Sequence, residues 1–503
     1  MSKIAKLIIC LILPALLPGV AAVEESQTPV NEKEKMNGIL IDCSRLLERH
    51  EYYFRLVDFM AEWEMNTLLL HFSDDHGCAI RLPGFEKMAM PNAFSAEEIH
   101  HLVKHAQAKG ITIIPEVETF GHTRFITDQK EYSHLKADKN TKGLKYNALD
   151  PLNPETLLLV ERLIAATAQL FPSPYLHIGC DEVNIEKYCA KRNLDPKNVW
   201  ADYVNKVAAI TRKYGKESML WEDFIRDNPM VMGLLDKGMI PVYWYYHADS
   251  PKGVDRYKIA GFKDTILSPS ICCSKYRVKP SWTGLKNTTL LAKECREHDL
   301  AGMINTIWMP SRYLQSNMYY GIAFSSYAFS KGGQIDWSEF HRDFTTKVFG
   351  AEMDNDLDGW LRQWNKLELP SSLFLGASRG AYWVVHSQKL VEEINTSAAD
   401  LVSKSTRFEP KKNADIWQGM VLSAEVMWAF SEALLIKNGQ AGKERQKSFP
   451  AKFRSLVEKV ENEWDRTRFP DDPAKHTAKF NEWEDQYLLM MLTGMLKDFP
   501  PKK

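Results

Sequence analysis

Net charge is what this sequence most lacks: 64 Lys and Arg against 65 Asp and Glu leave −1 at pH 7. A balanced surface has no long-range field to gather nucleic acid or an anionic membrane, so a neutral or locally recognised ligand is expected. Cysteine patterning is missing too. Of eight cysteines, Cys10 lies in an N-terminal apolar run and the other seven are scattered, which fits small buried thiols better than a disulfide framework. The adjacent Cys272 and Cys273 lack zinc-site spacing. Beyond the N-terminus no segment reads as long and apolar enough to span a bilayer. No glycine-rich phosphate fingerprint follows the first strand-like segment, which removes the usual mark of a doubly wound nucleotide-binding sheet.

The N-terminus reads as an export signal. Lys3 and Lys6 precede an apolar run from Leu7 to Val20, and Ala21-Ala22 close it before a polar stretch. Residues 1–22 are therefore expected to be a cleaved signal peptide and 23–35 a linker, leaving a periplasmic or secreted protein with no membrane partner after cleavage. At 503 residues the chain exceeds one average core, so a large domain with a second region is expected.

The stretch around which the chain is organised is Tyr175 to Val183, Tyr-Leu-His-Ile-Gly-Cys-Asp-Glu-Val. A short apolar run with the branching of a buried parallel strand breaks at Gly179 into two adjacent carboxylates, Asp181 and Glu182. Strands of α/β proteins carry chemistry where they end in charge; the plainer alternative is a strand followed by an acidic helix N-cap. The flanking sequence alternates in the same way. Strands are predicted at Gly38–Cys43, Thr67–Phe72, Ile111–Val117, Ser218–Trp221, Ile240–Tyr245, Thr265–Leu267 and Met303–Trp308, with amphipathic segments between them. Ser95-Ala96-Glu97-Glu98 opens one such helix as a capping box, and Asn153-Pro154 opens another. A long polar connection up to Asp150 is a candidate lid or a surface insertion.

Eight strands alternating with helices predict an α/β fold, a (β/α)₈ TIM barrel over residues 36–335, with an open doubly wound sheet as the alternative. From about Trp337 the period becomes helical. Trp417, Met420, Val421, Ala424, Met427, Trp428 and Leu435 mark one helix face, Phe453, Leu456, Val457, Val460 and Trp464 another. Residues 336–503 are thus expected to form a C-terminal helical region whose tryptophans pack its core.

The polar residues gather at the predicted strand ends: Arg45 after the first, Asp74 and Asp75 after the second, His122 after the third, Asp181 and Glu182 after the fourth. Trp221, Glu222 and Asp223 end the fifth, Trp244 lies in the sixth and Trp308 ends the eighth. In a barrel all face one mouth. Carboxylates, one Arg and several indoles suit a neutral sugar, whose C–H faces stack on Trp while its hydroxyls bond to charged groups.

The motif His177-Ile178-Gly179-Cys180-Asp181-Glu182, with Asp74-Asp75 and Phe120-Gly121-His122-Thr123, resembles the family 20 glycoside hydrolases, the β-N-acetylhexosaminidases. Without a small α/β domain before the barrel, the chain looks most like the hexosaminidase D-like branch. The resemblance implies an exo-acting, retaining enzyme, metal-free and without cofactor, that removes terminal β-linked GlcNAc or GalNAc from glycans with the substrate's own 2-acetamido oxygen as nucleophile. It implies that Glu182 is the general acid and base, that Asp181 holds the acetamido N–H and the developing charge, and that Arg45 binds sugar hydroxyls. Asp74 and His122 match a relay behind the acid, and Trp221, Trp244 and Trp308 the walls around the sugar.

Three departures stand out. The tyrosine that bonds the acetamido carbonyl in relatives has Tyr276 as its nearest match. The acidic residue expected after the last barrel Trp is replaced by Met309-Pro310. Glu118 stands where relatives carry Asp. Two other readings stay open: a metal-dependent hydrolase using His71, Asp74, His76, His177 and Asp181, and a non-catalytic glycan-binding barrel.

Overall fold

The computed structural model describes residues 34–137, 148–272, 278–370, 388–469 and 488–499. The expected signal peptide, nearly all of the linker, the middle of the polar connection before Asp150, and Tyr276 lie outside the described residues.

Eight parallel strands close into a barrel in chain order: β1 Met36–Asp42, β2 Thr67–His71, β3 Thr112–Glu116, β4 Tyr175–His177, β5 Glu217–Trp221, β6 Ile240–Trp244, β7 Ile266–Ser268 and β8 Gly302–Ile307, which pairs with β1. The predicted TIM barrel is the fold, and the open sheet is excluded by closure. Side chains alternate along each strand. Leu40, Leu69, Ile114, Met219, Ile240, Val242, Ile266 and Ile304 fill the barrel's interior. Ile39, Ile41, Leu68, Leu70 and Ile113 belong instead to the larger core that includes the surrounding helices.

The helices start where their sequences provide caps. Ser95 accepts the Glu98 N–H and the Glu98 carboxylate accepts the Ser95 N–H, opening Ala96–Ala108. Asn153 caps Pro154–Leu170, with proline at its first position where no N–H is required. One feature was not predicted: a three-stranded sheet of Ser73–Asp74, Gly77–Ile80 and Ala89–Phe94 follows β2 at the mouth.

After helix Gln315–Ser330 the described elements are all helices. Trp417 is buried against Phe349, Trp360 and Phe408, and Trp464 is buried as well, so both pack the core. Helix Ala414–Lys437 corrects one expectation. By length and composition it could cross a membrane, yet 78% of its most apolar window is buried inside the protein. Within it Glu432 is buried and is held by Arg445 and Asn395. This region also reaches the barrel mouth. Buried Arg468 donates to the carbonyls of Pro310 and Tyr313 at 2.8 and 2.9 Å, in the loop that follows β8, and pairs with Glu48 at 3.1 Å. Cys43, Cys78, Cys180, Cys189, Cys272 and Cys295 are free and buried.

Candidate active site

The strand register builds the floor of the site. Asp42 on β1 pairs with His71 on β2, His71 with Glu116 on β3, and Glu116 with His177 on β4, so one row of the barrel is polar where the rows beneath are aliphatic. Glu116 organises this row. Its carboxylate lies 2.9 Å from His71 Nδ1 and accepts the Trp221 indole N–H at 2.5 Å. Against burial, His71 and His177 hold Glu116 below the ordinary carboxylate range. The two histidines diverge. Against burial, Glu116 and Asp74 raise His71 to about 10. Burial lowers His177 to about 4, and its Nδ1 accepts the Gly179 N–H, so it is a neutral imidazole.

Above this floor Asp74 is wholly buried and ties Arg45 (2.8 Å), His76 (2.7 Å) and His122 (3.3 Å) together. Against burial, Arg45 and His122 hold it well below the carboxylate range. Asp42 takes the other Arg45 nitrogen at 2.9 Å, so the guanidinium is fixed at both ends. Its face lies over Trp308, 5.3 Å from the ring centroid.

His122 links this network to the paired carboxylates. Nδ1 faces Asp74 and Asp75 at 3.3 and 3.5 Å, while Nε2 lies 3.2 Å from Glu182 and 3.6 Å from Asp181. Burial opposes its charge, but Asp181 and Asp74 hold its pKa well above the usual value, so it is an imidazolium that donates in both directions.

Asp181 and Glu182 sit on a contorted turn. Gly179, Cys180 and Glu182 all have left-handed backbones, with φ of 68°, 75° and 49°, and so does His122 at 49°. For a residue with a side chain this costs about 1–2 kcal/mol. The clustering of such residues beside paired carboxylates marks a site held in place by its surroundings. The restraints are visible. Asp223 accepts the Glu182 N–H at 2.9 Å, and Thr119 Oγ1 donates to the Ile178 carbonyl at 2.7 Å. Gly121 and Gly179 are required by close approach: a Cβ would collide with the Asp181 carbonyl oxygen at the first and with the Glu118 carboxylate at the second.

The two carboxylates differ in environment. The Glu182 side chain is 39% exposed and that of Asp181 20%. Burial pushes Asp181 up to about 7, with Asp223, Glu182 and Glu116 adding to the rise and His122 opposing it. Asp181 Oδ1 is buried and has no hydrogen-bond partner. Behind it, burial and the charge of Asp181 raise Glu118 well above the carboxylate range, and both of its oxygens also lack partners.

The indoles complete the mouth. Trp221, Trp244 and Trp308 cap the aliphatic filling of the barrel, and the rings of Trp221 and Trp308 lie 5.9 Å apart. Of the residues singled out from sequence, Arg45, Asp74, His122, Asp181, Glu182, Trp221 and Trp308 are joined by direct contacts, some through His71, Glu116 and His177, and Trp244 shares the interior cluster. Asp74 is too buried to touch a sugar and serves to position Arg45 and His122. Tyr276 lies outside the described residues. Sequence reading missed Asp42 and Glu116, whose only signal was a carboxylate at the end of an apolar strand.

Among the described residues, two groups have ligand atoms within 4.8 Å of one another and could gather on a cation: His71 with Glu116 and Glu118, and His122 with Asp181 and Glu182. They do not form the set expected for a metal hydrolase. His177 is turned to Gly179, and Asp74 is neutralised by Arg45 and His122.

Residues 35–274 match the model of glycosyl hydrolase family 20, catalytic domain. A beta-hexosaminidase of Vibrio furnissii is 29% identical over 30% of this chain and 29% of its own. The beta-hexosaminidase subunit beta of Rattus norvegicus is 24% identical over 42% of each. The chain thus spans less than half the length of these curated relatives. In fold, the crystal structure of a beta-N-acetylhexosaminidase superposes with a TM-score of 0.51 at 21% identity, covering 64% of this chain and 78% of that one. The stretch that runs from the first barrel strand to the loop after the seventh, with the paired carboxylates it contains, is thus similar to the catalytic domain of glycosyl hydrolase family 20.

Proposed function

We propose that this protein is an exo-acting β-N-acetylhexosaminidase that removes terminal β-linked GlcNAc or GalNAc from glycans with retention, through an oxazolinium intermediate. The observation that carries this is Asp181 Oδ1, a buried carboxylate oxygen without a partner, one residue from the exposed carboxyl of Glu182. A buried acceptor left unpaired costs about 1–3 kcal/mol, which a ligand N–H would recover. An acetamido group supplies that N–H on the carbon next to the one that reacts.

The steps follow from this placement. The acetamido carbonyl oxygen bonds to C1 as the glycosidic C1–O bond breaks, and Glu182 gives its proton to the departing oxygen. Asp181 holds the N–H and balances the positive charge that spreads over the new five-membered ring. Water then attacks C1 and yields its proton to Glu182, and the ring C1–O bond breaks to restore the acetamido group. His122, 3.2 Å from Glu182, holds that carboxyl in place. The indoles of Trp221, Trp244 and Trp308 provide apolar walls for the sugar. We also propose export, on the strength of the N-terminal pattern of basic, apolar and small residues.

The test is hydrolysis of aryl β-glycosides of GlcNAc, GalNAc, glucose and galactose, with and without a thiazoline that mimics the cyclised intermediate. Turnover confined to the N-acetyl sugars, blocked by the thiazoline and reduced about 100-fold or more in Glu182→Gln, is expected. Sugar binding without turnover of any of them would support the glycan-binding barrel instead.

A further inference from the structure

Between the helices of the C-terminal region lies a cavity of about 360 Å³, within the span of small-molecule sites, about 300–1,000 Å³. We propose that this cavity is a second carbohydrate site, which takes one neutral sugar unit. None of its lining residues falls within the stretch similar to family 20, and the ligand class follows from the cavity's own chemistry. The site therefore stands whether or not the barrel is a hexosaminidase.

Three segments meet there. On helix Asn355–Lys366, Asp356, Gly359, Trp360 and Gln363 recur at intervals of three and four and share one side. Lys404 lies in the last turn of helix Gln388–Ser405, with Arg407 and Phe408 just beyond it, and Trp417 comes from helix Ala414–Lys437.

Packing leaves two of these residues unexplained. Gly359 stands inside a helix, where glycine is less stable than alanine, yet an added Cβ would meet nothing within 4 Å. No close approach requires it, and what its missing side chain leaves free is the cavity. Trp417 is only 6% exposed and packs its ring on Phe349, Trp360 and Phe408, but its indole N–H meets no acceptor among the described residues. A nearly buried donor without a partner is costly, and a ligand oxygen in the cavity would supply one.

The lining selects its ligand by exclusion. Lys404 and Arg407 are balanced by Asp354 and Asp356; Lys404 is paired with Asp400 at 2.7 Å and Arg407 loosely with Asp356 at 3.6 Å. An anion would meet the two aspartates and a cation the two basic groups, while a wholly apolar ligand would leave the Trp417 N–H unmet. Gln363 spends its amide nitrogen on Ser397 and Asp400, which leaves its oxygen to accept. Donors and acceptors beside the half-buried ring of Phe408 suit a pyranose, whose hydroxyls do both and whose C–H groups are apolar.

The experiment labels the indole nitrogens of the full chain with ¹⁵N and titrates N-acetylglucosamine and methyl α-glucoside, following the Trp417 signal, identified by its absence in Trp417→Phe. A saturable shift is expected, with a dissociation constant on the order of 1 mM, as for a monosaccharide in a partly open site. Glycine and acetate at the same concentrations should leave the signal unmoved. Gly359→Met fills the cavity and should weaken both sugars about 10-fold or more, with a melting temperature no lower than that of wild type and turnover at the barrel mouth unchanged. Should that variant fail to fold, Arg407→Ala, at an exposed side chain, should weaken binding about 3- to 10-fold. A Trp417 signal unmoved by either sugar, or sugar binding as tight in the variant as in wild type, overturns the second site. A shift produced by glycine or acetate instead overturns the neutral-sugar class.

Discussion

Asp181→Asn should make the protein more stable and nearly inactive at once. Burial raises the Asp181 pKa from 3.8 to about 7. The folded state therefore holds this proton over a range in which the unfolded chain has released it, and stability falls as pH rises from about 4 to about 7. That span is roughly three pH units at about 1.4 kcal/mol each, so ionised Asp181 costs the fold about 4 kcal/mol above pH 7. Asparagine is neutral and nearly isosteric and escapes this cost, less what is lost by weakening the contact with His122. A net gain of about 2–4 kcal/mol at pH 8 is expected. For a chain of 503 residues the unfolding entropy is about 1 kcal/mol per kelvin, which converts the gain into a melting temperature about 2–4 °C higher. Calorimetry at pH 8 and pH 5 is the assay. At pH 5 most of the native Asp181 is already protonated, and the advantage should shrink by more than half. Meanwhile kcat should fall by about 100-fold or more. A variant less stable than wild type at pH 8, or a gain equal at both pH values, would refute the argument that this carboxylate is held under strain.

Two further outcomes follow from the geometry. Gly179→Ala combines a left-handed backbone with a collision against Glu118, so it should lower the melting temperature and cost activity. Adding Glu118→Ala should recover the steric part while leaving about 1–2 kcal/mol of backbone strain, which a double-mutant cycle in calorimetry would read. Prolonged treatment with a chelator should leave hydrolysis of aryl β-GlcNAc unchanged, and a loss restored by added divalent metal would return the two His and carboxylate groups to the mechanism.

The barrel was legible because its strands are short apolar runs that stop in turn or charged residues, and the capped helices between them carry their own start signals at Ser95 and Asn153. The paired carboxylates were legible for a similar reason: charge at the end of a strand has one direction to go in a barrel. What could not be read depends on register. Glu116 follows Ile113, Ile114 and Pro115 and looks like the ragged end of a strand, yet it is the residue that joins His71 and Trp221, 45 and 105 positions away. Asp42 is alike, since beyond its near neighbour Arg45 it is met by the Met309 N–H only once β8 closes on β1. The sheet of Ser73–Phe94 escaped because its strands are short and do not alternate.

Helix Ala414–Lys437 poses a sorting problem for the newly made chain. Before its neighbours exist, it is a segment whose length and composition would suit lipid, and Glu432 opposes that fate. An acidic residue in a membrane-spanning helix has to be desolvated or reach for the interface, a cost that is greatest at the bilayer centre and smaller toward the helix end where Glu432 lies. In the folded protein the same carboxylate is met by Arg445, which lies 13 residues further along. The pair thus acts as a selector. Lipid separates Glu432 from its partner and the globular fold unites them, so a helix apolar and long enough to cross a membrane carries within it a residue that favours the interior of the protein.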